Sequence, residues 1–252
     1  MKIAIFSDVH GNLTALTAVL ADIARQGADL VVFAGDLCLM GPRPAECLRL
    51  VRERQVAAIM GNTDEFAVGG GAPPPRFSEI IPWTQAALSA EEMAWLGRRP
   101  FGLRVSPTAH DADDLLIVHA NPRDLNSIVF PSEADQMARY GRVRQADADL
   151  APLFSDTAAA AVAYGNLHVP GLRALGGTLL VNVASVSMPG DGDPQAKYAL
   201  LMWDGRRWSA EHRRVAYEVR QEATAFSDRQ PPGWQEAVEA IERDGLYYPQ
   251  RV

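Results

Sequence analysis

Apolar residues in this chain come in short, unbroken runs: "KIAIF" at 2–6, "LVVFA" at 30–34, "VAAIM" at 56–60, "LLIV" at 115–118, "AAVAY" at 160–164, "TLLVNVA" at 178–184 and "YALLMW" at 198–203. Runs of this length without polar alternation predict strands covered on both faces. Between the first three the period changes to that of a helix. Residues 12–26 place Leu13, Leu16, Val19, Leu20 and Ile23 on one stripe behind Asn12 as N-cap. "PAECLRLVRERQ" at 44–55 opens with Pro44 in its first turn and carries Cys47, Leu48 and Val51 inward. Strand, helix, strand, helix, strand predicts βαβ units and an α/β fold with a largely parallel sheet.

The middle of the chain is less regular. "GGGAPPPRF" at 69–77 reads as an exposed loop, and Ser89 with Glu92 has the spacing of a capping box ahead of a helix over 89–100. After residue 171 the pattern is of strands joined by turns, "PGDGDP" at 189–194 being the clearest turn. From 219 onward helical spacing returns, interrupted by "QPPG" at 230–233. No repeat and no long linker divides the chain. We therefore expect a single domain over 1–252, with 219–252 a helical tail packed on it.

Composition narrows the function. The 252 residues are long enough to bury a sizeable core unaided. A net charge of -7 argues against broad nucleic-acid or anionic-membrane binding, although a bound metal would reverse the field locally for a small nucleotide. The only cysteines, Cys38 and Cys47, are too few for a disulfide framework and read as buried, reduced thiols. No apolar stretch approaches the ~20 residues that span a bilayer, and "MKIAIF" leads straight into Ser7-Asp8 with no leader pattern. A cytoplasmic protein is the expectation; oligomeric state is not legible.

The residues just after each apolar run carry the chemistry. The first run ends in Ser7-Asp8-Val9-His10, the second in Gly35-Asp36, the third in Gly61-Asn62-Thr63-Asp64. "LLIV" ends in His119-Ala120, and "AAVAY" in Gly165-Asn166-Leu167-His168. Any one of these is explained as well by a turn, a cap or a satisfied core histidine. Five in succession are not, because ligands of open α/β sheets bind outside the carboxyl ends of strands. Asp, His and Asn suit a borderline divalent metal, and a carboxylate has two oxygens with which to bridge two ions.

In these motifs the chain resembles the calcineurin-like metallophosphoesterases, and most closely the bacterial branch beginning with an "SDIHGN" segment. The family motifs D-x-H, GD, GNH-D/E, H-G and GH-x-H stand here as "DVH", "GD", "GNTD", "HA" and "GNLH". The resemblance extends to about residue 220 through "GDLCLMGPRPAEC", "WTQAALSAEEMAWL", "HANPRDL" and "SVSMPGDGDP". It implies a β-sandwich flanked by helices on both faces. It also implies two divalent ions (Mn²⁺, Fe or Zn²⁺), the first held by Asp8, His10, Asp36 and His168. Asp36 would bridge to the second, completed by Asn62 and His119. Asn166 replaces the family's further His and is either a weaker ligand or a turn cap.

Thr63 replaces the His of GNH-D/E, and a hydroxyl cannot donate a proton at neutral pH as an imidazole does. That substitution favours leaving groups needing little help, such as aryl or nucleotide phosphates. Asp64 closes the same motif, so Asp36, Asn62 and Asp64 are candidate catalytic residues. Arg123 in "NPRD" is a fourth, as a planar fork on a phosphate oxygen, with a surface ion pair to Asp124 as the alternative. Asn121, Asn182 and Ser185 stand near the same rim without an assigned role; His110 and His212 read as structural, and Cys38 as packing. The function expected is hydrolysis of phosphodiesters or small nucleotide phosphates, with diadenosine polyphosphates a specific candidate because members of the branch hydrolyse them. The alternative is a degenerate member that binds one metal and a phosphate ligand as a sensor or scaffold. A generic nucleotide-binding module is excluded, since neither G-x-G-x-x-G nor a P-loop follows a strand.

Overall fold

The computed structural model describes residues 1–246. Its strands are β1 (Lys2–Phe6), β2 (Leu30–Phe33), β3 (Ala57–Ala58), β4 (Gly102–Val105), β5 (Leu115–Val118), β6 (Ala161–Tyr164), β7 (Gly171–Leu175), β8 (Thr178–Asn182), β9 (Ala196–Trp203) and β10 (Trp208–Val215). They form two five-stranded sheets, ordered β10-β9-β1-β2-β3 and β4-β5-β6-β8-β7. In the first, β1, β2 and β3 run parallel and β9 and β10 antiparallel; in the second, β5, β6 and β8 run parallel between antiparallel edges.

Alternation of side chains across each strand explains why the runs are apolar throughout. Ile3 and Ile5 face the interior of the sandwich, where they join Val32, Ile117, Ala163 and Val181. Ala4 and Phe6 point the other way, onto the helices of the outer face. These are α1 (Leu13–Gln26), α2 (Pro44–Glu53), the short α3 (Asn62–Ala67), α4 (Ile80–Ala87) and α5 (Ala90–Gly97). The second sheet turns Val118, Val162 and Leu180 outward onto Leu150 and Phe154. The last two belong to α7 (Asp147–Phe154), which comes after α6 (Glu133–Tyr140). The result is a β-sandwich with helices on both faces, and α8 (Val219–Arg229) and α9 (Trp234–Asp244) complete the described chain.

Local signals hold well. Asn12 caps α1, its Oδ1 accepting the Ala15 N–H at 2.9 Å, and Gly27 ends that helix in the left-handed conformation. Ser89 and Glu92 make the reciprocal capping box. Two expectations change, and one segment without an assigned element takes form. Only Ala57 and Ala58 of "VAAIM" enter a ladder. The 69–77 loop closes with a 3-10 turn at Pro75–Phe77 that buries Phe77, so it is not wholly exposed. Residues 133–154, which carry no clear pattern, form α6 and α7. Part of the expected tail, residues 247–252, lies outside the described residues.

Candidate metal centre

Strands of both sheets deliver their carboxyl ends to one place. The turns after β1 and β2 are laced together by main-chain bonds: Asp8 N–H to the Gly35 carbonyl at 2.9 Å, Val9 to Asp36 at 2.9 Å, Gly11 to Leu37 at 2.8 Å. In the second sheet, the turns after β5 and β6 are joined in the same way, Gly165 N–H reaching the His119 carbonyl at 2.8 Å. Among the candidate ligands, Asp8, His10, Asp36, Asn166 and His168 all have φ between 46° and 67°. Such left-handed conformations cost non-glycine residues about 1–2 kcal/mol each, and they persist where surrounding structure over-determines them. Glycine leaves room for the cluster. A Cβ on Gly61 would lie 2.2 Å from both the Asp36 nitrogen and its Oδ1, and one on Gly165 2.4 Å from Asp8 Oδ2.

The side chains converge without exposure to bulk water. His168 Nε2 lies 3.0 Å from Asp8 Oδ1 and 3.3 Å from His10 Nε2, which is itself 3.8 Å from Asp8 Oδ1. Asp36 Oδ2 sits between two imidazoles, 3.8 Å from His10 Nε2 and 3.4 Å from His119 Nε2. Potential ligand atoms thus gather in two groups, Asp8 with His10 and His168, and Asp8 with Asp36 and His119. His10 Nδ1 lies 3.1 Å from the Leu39 carbonyl and His119 Nδ1 2.9 Å from the Ala34 carbonyl. An Nδ1–H bound to a carbonyl turns the Nε2 lone pair inward, which is the usual support of a metal-ligating histidine.

Without a cation, the carboxylates and imidazoles compensate one another. Burial raises the cost of charge on Asp36, but the His119 imidazole beside it holds its carboxyl far below the usual carboxylate range. Burial disfavours the His119 cation, and Asp36 outweighs burial, pushing His119 up to about 10. Burial pushes His10 down, with His168 adding to the effect. Concentrated carboxylate and imidazole donors in a buried site fit divalent cations, whose charge compensates the carboxylates.

The cluster forms the floor of a cavity of about 790 Å³, into which His10, Asp36, Asn62, Thr63, Asn166 and His168 project. With this geometry established, the comparisons decide the lineage. The profile of the calcineurin-like phosphoesterase superfamily domain matches residues 1–206. The chain belongs to that superfamily. Among its relatives is the uncharacterised protein MJ0912 of Methanocaldococcus jannaschii, 26% identical over 92% of this chain and 94% of that one. Phosphodiesterase YfcE of Escherichia coli is 29% identical over 48% of this chain and 70% of its own. A metallophosphoesterase from Sphaerobacter thermophilus superposes with a TM-score of 0.69 at 26% identity, covering 95% of this chain and 98% of the other.

Set beside the calcineurin-like motifs, the departures take a definite form. Asn166 donates its main-chain N–H to Asp8 Oδ2 at 3.1 Å and its amide Nδ2–H to the Asn126 carbonyl at 3.1 Å. The same Asn126 accepts, at its Oδ1, an N–H of Asn62 at 3.3 Å, while Asn62 Oδ1 lies 3.0 Å from His119 Nε2. Thr63 lends its main-chain N–H to Asp36 Oδ1 at 2.9 Å, and its buried hydroxyl finds no partner among the described residues. Asp64 lines no part of the cavity. It accepts the N–H groups of Asp36 and Leu37, each at 2.8 Å, so it supports the Asp36 loop from behind. Burial and the Asp36 charge push Asp64 up to about 7.

Arg123 is turned away from the cavity. Asn121 Oδ1 accepts its main-chain N–H at 2.8 Å, and the side chain pairs at the surface with Asp156 at 2.6 Å rather than with Asp124. Asn182 and Ser185 lie behind the site, bonded to the Gly165 and Asp8 carbonyls. His212 meets the Asn182 carbonyl at 2.7 Å and His110 is exposed. Cys38 and Cys47 are buried and unbridged. Sequence reasoning missed Asn126 and the outer cavity residues Arg76, Phe130, Tyr140 and Arg144. No local signal marks them, because only tertiary packing brings their loops to this rim.

Proposed function

We propose that this protein is a metal-dependent phosphoesterase, acting as a single domain in the cytoplasm on phosphodiesters or small nucleotide phosphates, diadenosine polyphosphates included. The observation that carries the reading is the pair of buried ligand groups sharing Asp8 at the floor of an open cavity. Divalent ions there, two of Mn²⁺, Fe or Zn²⁺, would neutralise charge on phosphoryl oxygens and acidify an attacking water. Asp8, His10 and His168 would hold one ion. Asp36, between His10 and His119, would serve both, and Asn62 and His119 would complete the second site. Thr63 directs its main-chain N–H at Asp36 and leaves a hydroxyl at the cavity wall. Asp64 keeps the Asp36 loop in place, and Arg123 is given no part at the phosphate.

A second reading, a binder of one metal and a phosphate ligand without turnover, is favoured by Asn166, whose amide nitrogen is engaged by Asn126. One experiment separates them. Metal content is measured on purified protein, and phosphate-ester hydrolysis is screened with added Mn²⁺ for wild type and Asp36→Asn. Two ions and turnover that disappear in the folded variant are the expected result. One ion without turnover establishes the binder, and a fully active Asp36→Asn overturns the two-metal site.

A further inference from the structure

The outer part of the cavity is built differently from its floor. Phe130 and Tyr140 meet edge to face, with ring centroids 5.9 Å apart. The Arg144 guanidinium lies over both, 4.6 Å from the Tyr140 centroid and 5.7 Å from that of Phe130. Among the described residues no carboxylate or carbonyl pairs with that guanidinium. Of those residues, Asp36 is the one carboxylate lining the cavity, against the two guanidinium groups of Arg76 and Arg144.

This wall is exposed yet firmly anchored. Fully buried Gln136 accepts the N–H groups of Arg144 and Gln145 at 2.8 and 3.0 Å, and its amide donates to the carbonyls of Pro131 and Gln145. Buried Arg173 ties the carbonyls of Phe130, Pro131 and Gln145 from the other side. A surface loop needs no such network merely to cover a helix. Holding a planar, unpaired guanidinium at a cavity rim gives a flat face for stacking on an aromatic ring.

We propose that Phe130, Tyr140 and Arg144 form a base-stacking subsite, and that the substrate is a nucleoside phosphoester. Its base lies on the Arg144 guanidinium and its phosphate lies over the metal floor. This rests on the phosphoesterase reading, and its test is independent of turnover. Affinities of the full chain, with Mn²⁺ present, are measured calorimetrically for two probes with a P–CH2–P bridge, α,β-methylene-ADP and methylenediphosphonate, which carries the bridge without the nucleoside, after the ribose ester of the first has been shown to stay intact under the conditions of the titration. Wild type is expected to prefer the nucleoside form by about tenfold or more, the range of a single stacked base. Arg144→Lys keeps the charge and loses the plane, so the preference should fall towards unity while methylenediphosphonate affinity persists. Arg144→Ala should lose the preference as well.

Equal affinities in wild type, absent binding of the nucleoside probe, or a preference intact in both variants would overturn the subsite. Parallel loss of both probes in Arg144→Lys would also overturn it, making Arg144 a phosphate fork instead. If no ester is turned over but the preference holds, the hydrolytic reading fails and the subsite stands. If esters are hydrolysed without preference, the subsite alone falls.

Discussion

At the scale of single residues, the site depends on atoms that are absent as much as on those present. A methyl group at Gly61 would collide with the main chain of Asp36, which cannot rotate away. Gly61→Ala is therefore expected to weaken Mn²⁺ binding about 10- to 100-fold, the effect typical of disturbed ligand support, measured by calorimetric titration. Thr63 makes a second prediction. Without a proton donor there, charge builds on the leaving oxygen, so alkyl phosphate esters should react far more slowly than aryl ones. General acid catalysis is worth about 10²–10⁴-fold, and Thr63→His should narrow the gap across a series of substituted esters; equal shallow slopes in both proteins would remove the role assigned to Thr63. Residues of this kind were largely legible in the sequence, because each stands after an apolar run and each has a ligand's chemistry. The left-handed backbone at Asp8 or His168 was not, since Asp and His enter that region more often than most residues but too rarely for the residue type to mark a position. Arg123 misled for a related reason: sequence distance from His119 says nothing about which way a turn throws a side chain.

Among elements, α1 makes polar contacts to its sheet beside an apolar face, the most buried of them at Asp22. The Tyr198 hydroxyl of β9 donates to Asp22 Oδ2 at 2.7 Å, and Arg25 closes on Asp22 Oδ1 at 2.8 Å. Burial would raise the Asp22 pKa, but Tyr198, Arg25 and Arg213 together hold it below the usual value. A depressed folded-state pKa contributes stability above the unfolded value, lost as pH falls through the folded one. Asp22→Asn should therefore be less stable than wild type at pH 7, with the difference closing below about pH 4, as followed by urea unfolding. Periodicity found α1, α2 and most strands because one period ran unbroken through each. It missed α6, whose described buried position is Gln136, and α7, which carries Pro152 inside it. It also missed β4, an edge strand of four residues broken by Arg104, whose guanidinium pairs with Asp114.

For the molecule as a whole, Asp8 and Asp36 come from one sheet and His119 and His168 from the other. A cation bound among them would join the two halves of the sandwich at one end. Binding to the folded chain alone at 100 times Kd adds about 2.7 kcal/mol. For a chain of this size that is about 5–10 °C in Tm. Chelation and then Mn²⁺ addition should move the calorimetric midpoint by that amount, and a smaller effect is expected in Asp36→Asn. An unchanged midpoint in wild type would mean that no cation links the sheets. That the strands are covered on both faces was legible in their apolar runs, whereas the sandwich was implied by the family resemblance; the runs suggested one largely parallel sheet, and the two mixed sheets were not legible because β1 pairs antiparallel with a strand some two hundred residues away.

That pairing sets a timetable. Lys2 lies opposite Met202 and Ile5 opposite Ala199, so β1 gains its second neighbour only after some two hundred further residues have been added. Until then β1, paired with β2 alone, would keep one open, apolar edge, the kind of surface that invites pairing with other chains. Completion of the sheet must await β9, and chains stopped short of residue 196 are expected to aggregate rather than accumulate as a folded fragment. β1 is thus in place well before the strand that secures it.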